Sequence, residues 1–167
     1  MSGPVLDPEP DEFRLAMGRF AAGVTVVTCR GRDLDHAMTA NAVASVSLEP
    51  TLMLLSVERE ARFHDAVVEA GSWGVSILPA AARPIAAWLS TRGRPLHDQL
   101  ERVPFHRGEA TGVALLDDAL AAMECETTNT LVAGDHTIII GRVRSVEIAD
   151  HPGEALVYYR GRYESLG

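Results

Sequence analysis

The feature that most constrains the fold is a pair of strand-like segments, ALAAMECETTNTLV (residues 119–132) and HTIIIGRVRSVEI (residues 136–148). Only Ala133, Gly134 and Asp135 separate them. A three-residue link containing glycine makes a hairpin turn, so the two strands run antiparallel. Gly141 interrupts the second strand and marks a bulge. Any fold for this chain has to be built around this long hairpin.

The rest of the chain supplies more strands of the same kind. GVTVVTC (23–29) is β-branched, and the polar Gly31-Arg32-Asp33 turn returns the chain antiparallel from Leu34. TLMLLSV (51–57) is a continuous apolar run suited to burial on both faces. SWGVSIL (72–78) and EALVYY (154–159) complete the set. Phe13, Ala16, Met17 and Phe20 fall at helical spacing, with Gly23 as the stop, and so do Phe63, Ala66, Val67 and Ala70, with Gly71 as C-cap. A third helix is expected over 80–90, with Pro84 in its first turn. Residues 91–112 are long and irregular, which compact domains usually keep for a reason. Six or seven strands follow one another with few helical crossovers. That order predicts an all-β-dominated domain, an antiparallel barrel or sandwich.

The chain's 167 residues suit one domain, over 12–167, behind a loose acidic and Pro-rich tail at 1–11. A net charge of −8 argues against a nucleic-acid surface. No apolar run approaches the roughly 20 residues of a membrane helix, and MSGPVLDPEPDEF lacks the features of a secretory leader. The expected location is the cytoplasm, where Cys29 and Cys125 are expected as free core thiols rather than a disulfide.

The motifs exclude several chemistries. There is no G-x-S-x-G, no G-x-G-x-x-G and no Walker loop, so any nucleotide is held by another device. None of the six histidines shows metal-ligand spacing, and no metal site is expected. AMTANAVASVSLEP (37–50) is rich in small residues and short polar side chains. It is either an ordinary small-residue loop or a backbone against which something flat lies. Asp135 and His136 stand at the mouth of a strand, and His136 is either a solvated turn residue or a donor near neutral pH. Arg59 and Arg62 flank the start of the second helix, as a charged turn or as donors to a phosphate. Tyr158, Tyr159 and Tyr163 either stack on a ring or cap the barrel.

Taken in order, FRLAMGRFAAGVTVVT, AMTANAVASVSLEP, AGDHTIIIGRV and LVYYRGRYESL resemble the flavin reductase family across nearly the whole chain. These are FMN-binding split-barrel proteins that supply reduced flavin to two-component monooxygenases. The resemblance implies a Greek-key split β-barrel and a flavoprotein oxidoreductase that reduces FMN or FAD with NADH or NADPH. It implies that Thr39, Ala40, Asn41 and Ser45 wrap the flavin ring. Ser56 to Arg62 would hold its phosphate. Where the family commonly has Asn and Ser this chain has Glu58 and Ala61, which leaves Arg59, Arg62 and backbone N–H groups for that role. Gly134, Asp135 and His136 would lie where nicotinamide meets flavin, with His136 as the catalytic residue, and Tyr163 would border the pocket. Hydride transfer needs the two rings face to face at ~3–3.5 Å. A homodimer and a separate monooxygenase that receives reduced flavin are further expectations. No arginine cluster for a ribose phosphate is evident, which favours NADH. The alternative is a non-catalytic flavin- or haem-binding split-barrel protein.

Overall fold

A computed structural model describes residues 7–150 and 153–167. Residues 1–6 of the expected tail, and residues 151 and 152, lie outside the described residues. Helix α1 (Pro10–Met17) takes in the last two residues assigned to the tail and ends at the Gly18 cap, earlier than Gly23 suggested. β1 (Ala22–Gly23), β2 (Thr25–Arg30), β3 (Asp35–Ala40), β4 (Val43–Leu48) and β5 (Thr51–Glu58) follow. α2 (Arg62–Ala70) leads to β6 (Ser72–Ile77), then a 3-10 turn (Ala80–Ala82) leads into α3 (Arg83–Ser90). The chain continues through β7 (Phe105–Arg107), β8 (Ala114–Leu116), β9 (Ala121–Ala133), β10 (His136–Ile148), β11 (Ala155–Tyr159) and β12 (Arg162–Leu166).

Seven strands form one antiparallel sheet in the order β3-β2-β6-β9-β10-β5-β4. Consecutive strands β3 and β4 therefore occupy opposite edges of the sheet, joined only by Asn41 and Ala42. Such a link spans at most about 11 Å, whereas six strand spacings laid flat span about 29 Å. The sheet has to roll until its edges nearly meet. The opening at that seam makes it a split barrel, as expected. The small-residue stretch at 37–50 is therefore not a loop. It is the end of one edge strand, the seam, and the other edge strand, and the Ser56 N–H, donating to Ala42 O at 2.9 Å, carries the β4–β5 pairing up to the seam.

Two apolar clusters flank β2, whose first five residues are buried on both faces. Inside the barrel, Val27, Leu55, Phe63, Trp73 and Ile139 pack together. Gly141 is required there, because a Cβ would lie 2.6 Å from Trp73 Cζ2, and the β9–β10 register shifts beside it as expected. Outside, Val24, Val26, Leu78, Leu89 and Leu156 pack under α3 and the three-stranded sheet β1-β11-β12. Both cysteines are free and buried, and burial pushes each thiol up to about 12.

Two expectations are corrected. β5 is fully buried on one face only: Met53, Leu55 and Val57 point inward, while Leu52, Leu54 and Ser56 stay half-buried on the outer face. The apolar face expected for α1 has no partner among the described residues, and Phe13, Met17 and the following Phe20 are exposed.

Candidate active site

A cavity of about 390 Å³ opens beside the seam. Met38 and Thr39 of β3 form one wall, and the β5–α2 turn (Glu58 to Phe63) forms a second. The third is the irregular segment at residues 91–99. β3 is an edge strand, and this segment covers its free edge. The Ala37 N–H donates to Gln99 Oε1 at 3.0 Å, and the Arg94 guanidinium donates to the Ala37 carbonyl. Thr39 Oγ1 donates to Ala86 O of α3 at 2.7 Å. A second cavity, of about 600 Å³, continues along α2 and the β2–β3 turn and shares His36 and Arg62 with the first. Burial lowers the pKa of His36.

The charges in the first cavity are unevenly matched. Arg92 pairs with Glu58 at 3.1 Å. Arg62 Nη2 donates to the Arg94 carbonyl at 2.7 Å, and Arg94 Nη1 to the Thr91 carbonyl at 3.0 Å. Among the described residues neither Arg62 nor Arg94 has a carboxylate within salt-bridge distance, and the buried Nε of Arg94 has no partner. Burial, and then the charge of Arg62, lower the pKa of Arg94. Glu60 also lines the cavity, so its lining carries one net positive charge, and two neighbouring guanidinium groups without a direct ion pair suit an anion. The N-cap of α2 is Ala61, which offers no side-chain cap to the first N–H groups of that helix.

The β9–β10 turn reaches the rim of this cavity by strand register. His136 pairs with Glu58, and Ile138 pairs with Ser56. Arg59 donates its backbone N–H to Asp135 O at 2.9 Å. Gly134 takes a φ of 61°, the left-handed conformation the turn needs. His136 Nδ1 lies 2.7 Å from Asp135 Oδ1, and the His136 ring holds the Asp135 carboxyl below its usual range. The His136 side chain is half-exposed.

The residues singled out in the sequence thus separate. Thr39 and Arg62 line the cavity. Gly134, Asp135 and His136 stand at its rim, and Asn41 and Ser56 at the seam. The Arg59 side chain is exposed and does not line the cavity; its backbone N–H holds the turn. Ala40 is only 8% exposed, packs inside the barrel, and its carbonyl accepts from Thr25 Oγ1. Ser45 is exposed on β4. Tyr163 meets Tyr158 edge-on at 5.6 Å and packs against the outer cluster, away from the cavity. Sequence reasoning missed Arg92, Arg94 and Gln99, although the run TRGRP in an otherwise unexplained segment was the available signal.

A split barrel with an arginine-lined cleft at its seam is the class of protein that fold and site define. The chain belongs to the flavin reductase family: the model of the flavin reductase like domain matches residues 17–167. It is 40% identical over 166 residues to an NADH-dependent flavin reductase of a Rhodococcus species, covering 96% of this chain and 90% of the relative. Among solved structures it is similar to the flavin reductase component of a bacterial two-component tryptophan halogenase. That likeness has a TM-score of 0.89 and 42% identity, over 95% of this chain and 98% of the other. It is also similar to the NADH:FAD oxidoreductase of Streptomyces globisporus solved with NAD and FAD fragments. There the TM-score is 0.89 at 31% identity, over 99% of this chain and 98% of the other.

Proposed function

We propose that this chain is an NADH-dependent flavin reductase that passes reduced FMN or FAD to a separate flavin-dependent monooxygenase. Beyond family membership, the observation that carries this reading is the Arg62–Arg94 pair in the cavity beside the seam: three arginines and two glutamates line it, and neither Arg62 nor Arg94 has a carboxylate within salt-bridge distance among the described residues. The positive charge of the two guanidinium groups fits a phosphorylated ligand. Bound flavin would supply the hydride-accepting ring, and the nicotinamide the hydride. The chain's own part is to hold and orient both. Arg62, Arg94 and the uncapped start of α2 take the flavin phosphate, with Arg59 holding the neighbouring turn. Thr39, Asn41, Ser45 and Ser56, with the backbone at Ala40, border the ring. Gly134 and Asp135 present His136, which orients the nicotinamide or moves a proton at its free Nε2. Tyr163 is the least supported member of the set, because it lies outside the cavity.

A homodimer is supported by apolar surface that one chain leaves uncovered. Leu48, Leu131, Val132 and Ile148 are all more than 60% exposed, and the tip of the β9–β10 hairpin is exposed on both faces. A cytoplasmic location is supported by two free, buried thiols. Among the described residues, no helix is long and apolar enough to cross a membrane.

The test is steady-state oxidation of NADH and NADPH with FMN, FAD and riboflavin compared. Flavin-dependent NADH oxidation is expected. Flavin or haem binding without turnover would make the chain a binding protein instead.

A further inference from the structure

Helix α2 carries a second histidine whose surroundings the flavin site does not explain. The side chain of His64 is only 15% exposed. Its Nδ1 lies 2.7 Å from Asp65 Oδ1 and its Nε2 lies 2.9 Å from Thr137 Oγ1. A carboxylate only accepts, so Nδ1 carries the proton. In the neutral ring Nε2 then accepts the Thr137 hydroxyl proton. Thr137 is 4% exposed, and this is its side chain's one hydrogen bond among the described residues.

We infer that His64 is a positioning residue: it ties the first turn of α2 to Thr137 and so fixes where the adjacent His136 stands at the rim of the flavin cavity. This rests on the flavin reductase reading above. The ladders to β5 and β9 hold the backbone at His136 and Thr137, but few side chains hold the turn itself. Among the described residues Gly134 has no atom within 4 Å of where a Cβ would be, Asp135 is exposed, and the His136 ring bonds only to its own neighbour. Beyond the β5–β10 ladder, two ties join the turn to the β5–α2 segment: the Arg59 N–H to Asp135 O, and His64 to Thr137, the latter being the one made by side chains. Successive side chains of a strand point to opposite faces, so anchoring Thr137 inward sets the outward direction of His136. Arg62, two residues before His64, lines the cavity from the same helical turn. One short segment therefore carries both the anion-side arginine and the tether of the hydride-side turn.

The experiment compares His64→Ala, His64→Gln, Thr137→Val and Thr137→Ser with the wild type, by NADH kinetics at saturating FMN, FMN titration and thermal melting. Displacing a group at a reaction centre costs on the order of ten- to a hundred-fold in rate. His64→Ala and Thr137→Val should each lose roughly ten-fold in kcat/KM for NADH, with FMN affinity within about two-fold of wild type. Thr137→Ser keeps the hydroxyl, and His64→Gln offers an amide oxygen to accept it, so both should retain most activity. The double variant His64→Ala/Thr137→Val should be no worse than either single variant, because both break one bond. Folded variants with wild-type kcat/KM, or losses that add independently, would overturn the inference and leave a merely structural bond. If His64→Ala does not fold, the Thr137 pair decides in the same way. A wild type that oxidises no NADH with any flavin would sink the flavin reductase reading, and this inference with it.

Discussion

The seam of the barrel and the irregular segment at 91–112 lie against each other, yet they are held in place by opposite means. At the seam, backbone topology does the work: strands from opposite edges of one sheet are joined by two residues. The irregular segment has almost no repeating structure, and side chains anchor it. Arg94 and Gln99 hold the two polar groups of Ala37. Further along, the buried Glu124 carboxylate accepts from Ala110 N at 3.0 Å, Thr111 N and Oγ1 at 2.6 Å each, and Ser145 Oγ at 2.8 Å. Change at the seam should therefore act through packing, and change in the segment through individual polar anchors.

The largest effect is expected where an anchor is most buried. Glu124→Ala should cost about 3 kcal/mol or more in urea unfolding, because it strands several buried donors. Burial alone would raise the pKa of Glu124, but its hydrogen bonds, led by the Thr111 hydroxyl, bring it below the ordinary value of 4.5. A depressed folded pKa means that the carboxylate stabilises the protein above about pH 4.5 and that this contribution fades as pH falls through the folded value. Glu124→Gln should flatten that acid limb. An unchanged limb would deny Glu124 its role as an anchor.

Next comes the anchor shared with the site. Arg94→Ala should weaken FMN binding by about 1.5–3 kcal/mol and leave riboflavin, which has no phosphate, nearly unaffected. Equal losses for the two ligands would make Arg94 an edge cap only. The seam should respond through volume. Ala40→Leu should cost about 1–3 kcal/mol of stability by overpacking the barrel interior. A thermal melt at the wild-type temperature would place the Ala40 side chain outside the core. The smallest effect concerns His106, which bridges Asp117 at 2.8 Å and Glu147 at 3.0 Å on a half-exposed surface. Hydrogen bonds to Asp117 and then Glu147 raise its pKa. Its contribution is therefore present below about pH 6.5 and is lost as pH rises through the folded value. His106→Ala should slightly reduce the loss of stability across neutral pH, as read by melts between pH 6 and 8.

The same contrast explains what could be read from the sequence. β2, β5 and the β9–β10 hairpin were legible because apolar or β-branched runs and a glycine turn encode them locally. β4 was not, because VASVSL lies in a run of small and short polar residues and is a strand through its pairing with β5. β12 was hidden behind a two-residue turn in which Arg160 and Gly161 both take positive φ, a backbone requirement arginine does not advertise. In the site, the Gly134-Asp135-His136 turn and Arg62 could be named in advance. Arg94 and Gln99 could not, because their places come from bonds to Ala37, 57 and 62 residues away in sequence. His64 was passed over because its partner Thr137 is 73 residues distant.

The central claim is that a phosphorylated flavin sits against Arg62 and Arg94. Its most direct test is titration of FMN and riboflavin into the wild type and into Arg62→Ala/Arg94→Ala, read by flavin fluorescence. The wild type should bind FMN at least about ten-fold more tightly than riboflavin, on the scale of one charge-assisted hydrogen bond, and the double variant should lose that preference. Equal affinities in the wild type, or a preference for FMN that survives in the double variant, would contradict it.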